Sequence, residues 1–218
     1  FENLGLKQFD DYEAGFQEFN ENYLIDFFDG NLHAQLEQCD TLQGFNLITD
    51  MDSGWGGFAT AILQELRNEL PKKCIFNWGY NQDDPLTTSV SKHREPRFSR
   101  STLPLVENKI KATAYMSEDS DIMIPLYANP ELSNWEQGGF TCKFMDTILS
   151  VLSQSNLEER KSMDFIKNCF TLGDTSRSFI SSIMDGTSVN HSYYAKVMLY
   201  KNHRIQEHIF SECSITRE

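Results

Sequence analysis

Residues 38–73, QCDTLQGFNLITDMDSGWGGFATAILQELRNELPKK, decide the reading of the chain. Gly44 to Thr49 reads as a short buried apolar strand and Asp50 to Gly57 as a glycine-rich turn. Phe58, Ile62, Leu66 and Leu70 then recur at helical spacing until Pro71, which cannot continue a helix. A helix that starts in such a turn points free backbone N–H groups, and the positive end of its dipole, toward whatever sits in front of it. Anions bind there readily, so nucleotide phosphate is the first ligand to weigh.

Working outward, Phe16, Phe19, Tyr23, Phe27, Leu32 and Leu36 give residues 12–39 one apolar helical face, with Asp29-Gly30-Asn31 as a break between two pieces. A second apolar strand runs from Cys74 to Gly79, so the segment forms a β-loop-α-β unit of the kind that builds a parallel sheet covered by helices. Residues 80–97 read as a long polar loop, 98–115 as a helix and Asp121 to Tyr127 as another buried strand. A helix over 139–154 carries Phe140, Phe144, Ile148 and Leu152 on one stripe. Beyond it lie short amphipathic segments near 158–170, 175–185 and 192–210. At 218 residues the chain can bury a sizeable core in one domain, or two.

The candidate site is Asp50, Asp52, Ser53, Gly54, Trp55, Gly56 and Gly57. Glycine turns tightly and admits phosphate oxygens close to the main chain, which suits Gly54, Gly56 and Gly57 to a cradle of backbone amides. The neighbours do not suit it, because two carboxylates repel a polyphosphate and Trp55 fills space that a cradle leaves open. Asp50 and Asp52, with Ser53, would be tolerable as Mg²⁺ ligands. A purely structural alternative makes Asp52 or Ser53 the helix N-cap, with the glycines shaping the turn. Trp55, Trp78 and Trp135 are expected to pack, and Trp55 is the one whose polar setting would also suit exposure to a partner.

Charge excludes several functions. The net charge is −13, and residues 1–40 hold ten acidic side chains against Lys7 alone, a surplus of nine. Such a surface repels phosphate, so nucleic acid and anionic membranes are not expected partners. The exception is residues 92–111, where Lys92, Arg94, Arg97, Arg100, Lys109 and Lys111 outnumber Glu95 and Glu107. Five cysteines without a C-x-x-C pair fit a reducing compartment, with Cys39 and Cys74 as small buried hydrophobes. His33, His93, His191, His203 and His208 lack the spacing of a metal site, and none is predicted. Asn190-His191-Ser192 matches a glycosylation sequon, which carries little weight without a secretory context. No apolar run approaches the ~20 residues of a membrane span. The local signatures of serine hydrolases, P-loop enzymes and kinases are missing.

Cys39-Asp40, Leu42-Gln43-Gly44-Phe45 and Gly57-Phe58 resemble the wording tubulins carry around the helix, strand and glycine loop that hold nucleotide phosphates. Asp50-Met51-Asp52-Ser53-Gly54-Trp55-Gly56-Gly57 departs from the almost all-glycine tubulin loop, and that combination is similar to the Misato family. The resemblance implies an α/β fold: a tubulin-like nucleotide-domain core with a parallel sheet flanked by helices over 1–130. The central helix and part of an intermediate domain would follow over 131–218. It also implies a chain starting at Phe1 as the middle segment of a longer protein, with the first phosphate loop upstream. The function implied is a tubulin-like, non-catalytic role in mitochondrial partitioning and mitochondrial DNA inheritance, exercised in the cytoplasm and at the mitochondrial periphery. Its partners would be proteins of the mitochondrial surface or cytoskeleton. The alternative is a polymerising GTPase that binds GTP and Mg²⁺. No segment after 156 matches the tubulin helix that supplies the acidic residue for hydrolysis, so no catalytic residue is nominated.

Overall fold

The computed structural model describes residues 9–81, 103–127, 133–156, 160–174, 178–180, 183–184 and 194–195. Of the loop expected over 80–97, Tyr80 and Asn81 instead end the second strand, and the rest, with the helix start at 98–102 and the basic residues Lys92 to Arg100, lies outside the described residues. So do His93, His191, His203, His208, the sequon and most of the segments 175–185 and 192–210.

Three parallel strands form the core, β1 (Gly44–Asp50), β2 (Cys74–Asn81) and β3 (Ile122–Tyr127), in the order β1-β2-β3. Gly44 pairs with Cys74 and Phe76 with Ile122, so even-numbered residues of all three strands share one face and odd-numbered residues the other. The chain returns to the same strand end through α3 (Gly54–Glu69) and α4 (Leu103–Asp119). The parallel α/β architecture expected from the sequence is therefore present.

The odd-numbered face packs under α1 (Tyr12–Glu18), α3 and α4. Met51, Ala59, Leu63, Leu66, Ile75, Ala112, Met116 and Met123 are buried in that layer with Tyr12, Phe19 and Phe28. The helix of 12–37 does not break at Asp29-Gly30-Asn31. It continues as two π-helical stretches, Phe19–Tyr23 and Asp26–Leu32, into α2 (His33–Glu37). A π turn holds extra residues per revolution, which lets the adjacent Phe27 and Phe28 both meet Phe19, at ring separations of 5.8 and 6.5 Å.

The even-numbered face carries a second core of Cys74, Phe76, Trp78, Ile122, Ile124 and Leu126. Ile148 of α5 (Asn134–Ser150) and Met163 and Ile166 of α6 (Met163–Thr171) cover it. The boundary expected near 130 falls in 128–132, outside the described residues, while both sides of it contribute to this core. Helix α5 begins five residues before the expected 139. Ser133 and Glu136 form a reciprocal capping box that fixes its start. Ile183–Met184 and Tyr194–Ala195 are short antiparallel strands, β4 and β5.

Three expectations are corrected. Among the described residues β1 pairs with β2 alone, so it is an edge strand rather than a buried one, and its Ile48 is 60% exposed. Cys39 is exposed, because the chain leaves α2 through a surface turn, whereas Cys74 is buried as expected. Trp135 does not pack; it is 88% exposed on the first turn of α5, while Trp78 is fully buried.

Candidate functional site: the glycine turn

Strand β1 ends at Asp50, and that carboxylate builds the turn. Its Oδ1 accepts the Asp52 N–H at 2.9 Å and its Oδ2 accepts the Ser53 hydroxyl at 2.9 Å. Ser53, in extended backbone, is the N-cap of α3, and its Oγ accepts the Trp55 N–H at 3.3 Å. Of the two caps open from sequence, Ser53 is the one used. The Thr49 hydroxyl donates to the Trp55 carbonyl at 3.1 Å, tying strand to helix. Met51 donates its N–H to the Tyr80 carbonyl at 2.9 Å, and its buried side chain lies over Gly79.

The helix amides that would face a phosphate are already used. Gly54 N–H donates to the Phe9 carbonyl at 3.0 Å, Trp55 N–H to Ser53 Oγ, and Gly56 N–H to the Ser53 carbonyl at 3.1 Å. The glycines have a different purpose. A Cβ on Gly57 would fall on the Tyr12 carbonyl, and one on Gly15 of α1 would fall on the Gly54 carbonyl. A Cβ on Gly56 would sit 3.1 Å from the Ala112 Cβ of α4. They let α1 press on the start of α3 backbone against backbone, and let α4 approach it through the Ala112 methyl.

Asp52 is 7% exposed and gripped by consecutive residues of α4. Its carbonyl accepts Asn108 Nδ2 at 3.0 Å, and its carboxylate lies 3.4 Å from Lys109 Nζ. Asn108 is itself buried; its Oδ1 accepts the Tyr12 N–H at 3.0 Å and its Nδ2 also donates to the Asp10 carbonyl. Trp55 is half-exposed, with the rings of Phe9 and Phe58 set edgewise against it at 5.0 and 5.5 Å. Burial pushes the Tyr12 phenol up to about 12, opposed by a hydrogen bond with Thr60.

The seven predicted residues thus lie together, but their polar groups are turned onto one another and onto α1 and α4. A nucleoside triphosphate does not fit this arrangement, because its phosphate would compete with Phe9 and Ser53 for the same amides. Mg²⁺ fits no better: both Asp50 oxygens are engaged and Asp52 faces Lys109. Among the described residues no three carboxylates, histidines or cysteines converge on a metal position. A polar cleft of about 240 Å³ near the start of β3 is lined by Arg67, Ser120, Asp121, Lys167 and Thr171. Its cations are committed too, Arg67 to Asp121 at 2.9 Å and Lys167 to Asp164 at 3.0 Å. Sequence reasoning missed Asn108 and the contact of residues 9–12 with the turn. A lone asparagine inside a helix carries no local signal, whereas Lys109 belonged to the basic excess already visible.

A tubulin-domain family profile matches residues 2–157. "Protein DML1" of Kluyveromyces lactis is 41% identical across the whole chain, which covers 47% of that relative. The protein of the same name from Eremothecium gossypii is 39% identical across the whole chain, covering 45% of it. That of Scheffersomyces stipitis is 31% identical over 59% of the chain and 25% of the relative. The chain therefore spans about half the length of the first two relatives. With the parallel sheet, the tubulin wording around β1 and the rewritten glycine turn, these matches place the chain in the tubulin-domain family, in its Misato branch.

Proposed function

We propose that this chain is part of a tubulin-like protein that supports mitochondrial partitioning and mitochondrial DNA inheritance through protein contacts, without GTP turnover. The observation that carries the non-catalytic half of the reading is the consumption of the Gly54, Trp55 and Gly56 amides by Phe9 and Ser53. A phosphate site needs free donors in front of the helix, and here those donors face the protein's own oxygens. The mitochondrial half rests on the Misato resemblance, since fold alone does not fix function. The protein acts in the cytoplasm and at the mitochondrial periphery, on protein partners of the organelle surface or cytoskeleton. Among the described residues no helix is long and apolar enough to cross a membrane, which suits a peripheral attachment.

The test uses the full-length protein. Calorimetric titration with GTP and Mg²⁺ is expected to give no heat of binding at micromolar concentrations. Micromolar, Mg²⁺-dependent binding with phosphate release would identify a polymerising GTPase instead. Depletion of the protein is expected to redistribute mitochondria and lower mitochondrial DNA retention. Unchanged retention on depletion removes the organelle role.

A further inference from the structure

Phe9 to Asp11 run across the mouth of the glycine turn immediately before α1. We propose that these residues form a strap occupying the front of α3, and that Asn108 is the latch holding the strap in place. The proposal rests on the reading of the turn as closed to nucleotide and supplies its physical cause.

The strap touches the turn at several points. The Phe9 carbonyl takes the Gly54 N–H at 3.0 Å, and the Phe9 ring meets Trp55 edgewise at 5.0 Å. Asn108 then joins the two segments through one side chain. Its amide oxygen accepts from Tyr12, and its amide nitrogen donates to the carbonyls of both Asp10 and Asp52. A carboxamide offers two donor hydrogens and an acceptor oxygen, and all of these are in use here. No neighbouring residue type replaces it: aspartate lacks the donors, and leucine lacks both functions.

The two sides of the latch are held unequally. On the turn side, Met51, Asp52, Gly54 and Gly56 are buried, and Lys109 grips Asp52 independently of Asn108. On the strap side, Asp10 and Asp11 are exposed. The contacts of Gly15 with Gly54 and of Gly57 with Tyr12 fix α1, and the Gly15 N–H holds the Asp11 carbonyl at 3.1 Å, so the release point lies just before Asp11. Loss of Asn108 therefore frees Phe9 and Asp10 and exposes the Gly54 N–H, while the turn stays in position.

Hydrogen exchange read by mass spectrometry on the full-length protein tests this. Asn108→Ala and Asn108→Asp are expected to raise exchange about tenfold in peptides covering residues 9–14 and Gly54, with peptides of β2 unchanged. Phe9→Ala, which removes the ring contact and leaves the Asn108 bonds intact, is expected to give the same pattern more weakly. Exchange that is unchanged, or that rises equally in β2, overturns the latch. GTP binding by the wild type separates this proposal from the reading beneath it. Binding with residues 9–14 still protected overturns the strap as the cause of closure. Binding accompanied by their deprotection supports the strap and overturns only the closed-turn reading.

Discussion

Gly57 shows how a residue can keep its identity while its setting changes. In a phosphate loop a glycine admits a ligand oxygen; here it admits the carbonyl of Tyr12. Gly57→Ala is therefore expected to cost about 3 kcal/mol, at the upper end of ordinary overpacking, because the obstacle is main chain and cannot rotate aside. Gly138→Ala in α5, where an added Cβ meets nothing within 4 Å, should instead stabilise by about 0.5–1 kcal/mol. Urea unfolding of both variants checks the contrast, and equal effects would mean that the α1–α3 approach is not tight. A cap at Asp52 or Ser53 was legible in the sequence, since a capping side chain needs only the helix that follows. Asn108 was not, because its partners lie 56, 96 and 98 residues away.

At the scale of elements, local patterns located β1, α3, β2 and β3 to within a residue or two. Each is announced by its own apolar period and bounded by its own turn residues. The errors came where a neighbour decides. The exposed edge of β1 depends on what lies beside the strand, and the run of strand-like residues reads the same at an edge or in the centre. The helix through Gly30 is held by aromatic packing rather than by propensity, so a glycine that predicts a break sits inside a π turn. The start of α5 was legible and was misread: Ser133-Asn134-Trp135-Glu136 is a capping-box sequence, but the helix was placed by the apolar stripe that begins at Phe140. Ser133→Ala should cost about 0.5–2 kcal/mol. Because Trp135, Glu136 and Gly138 are exposed, the loss should appear mainly as faster amide exchange over 134–138, with little change in the global unfolding midpoint. A large global shift would mean that this turn is docked.

Across the whole molecule, two buried protons report on the two faces of the sheet. Burial, with the Asp121 carboxylate adding to it, pushes the Cys74 thiol from 9.0 up to about 12, and burial raises Tyr12 from 10.0 to about 12. Both groups hold their protons more tightly folded than unfolded. Their contribution is complete below pH 9 and is lost as pH climbs from about 9 toward 12, so stability should fall over that window. Urea midpoints measured between pH 8 and pH 11 check the sign, and Cys74→Ala should flatten the slope; a midpoint that rises with pH contradicts it. The side of β1 that no described residue pairs has a different kind of consequence. Strand edges in soluble proteins are commonly blunted by lysine, proline or a bulge, and Gly44-Phe45-Asn46-Leu47-Ile48-Thr49-Asp50 contains neither lysine nor proline. Produced as these 218 residues, the chain should behave as a sticky colloid, with copies templating one another along that edge as concentration rises. Ile48→Lys places a charge on the exposed face and should suppress light scattering without moving the unfolding midpoint.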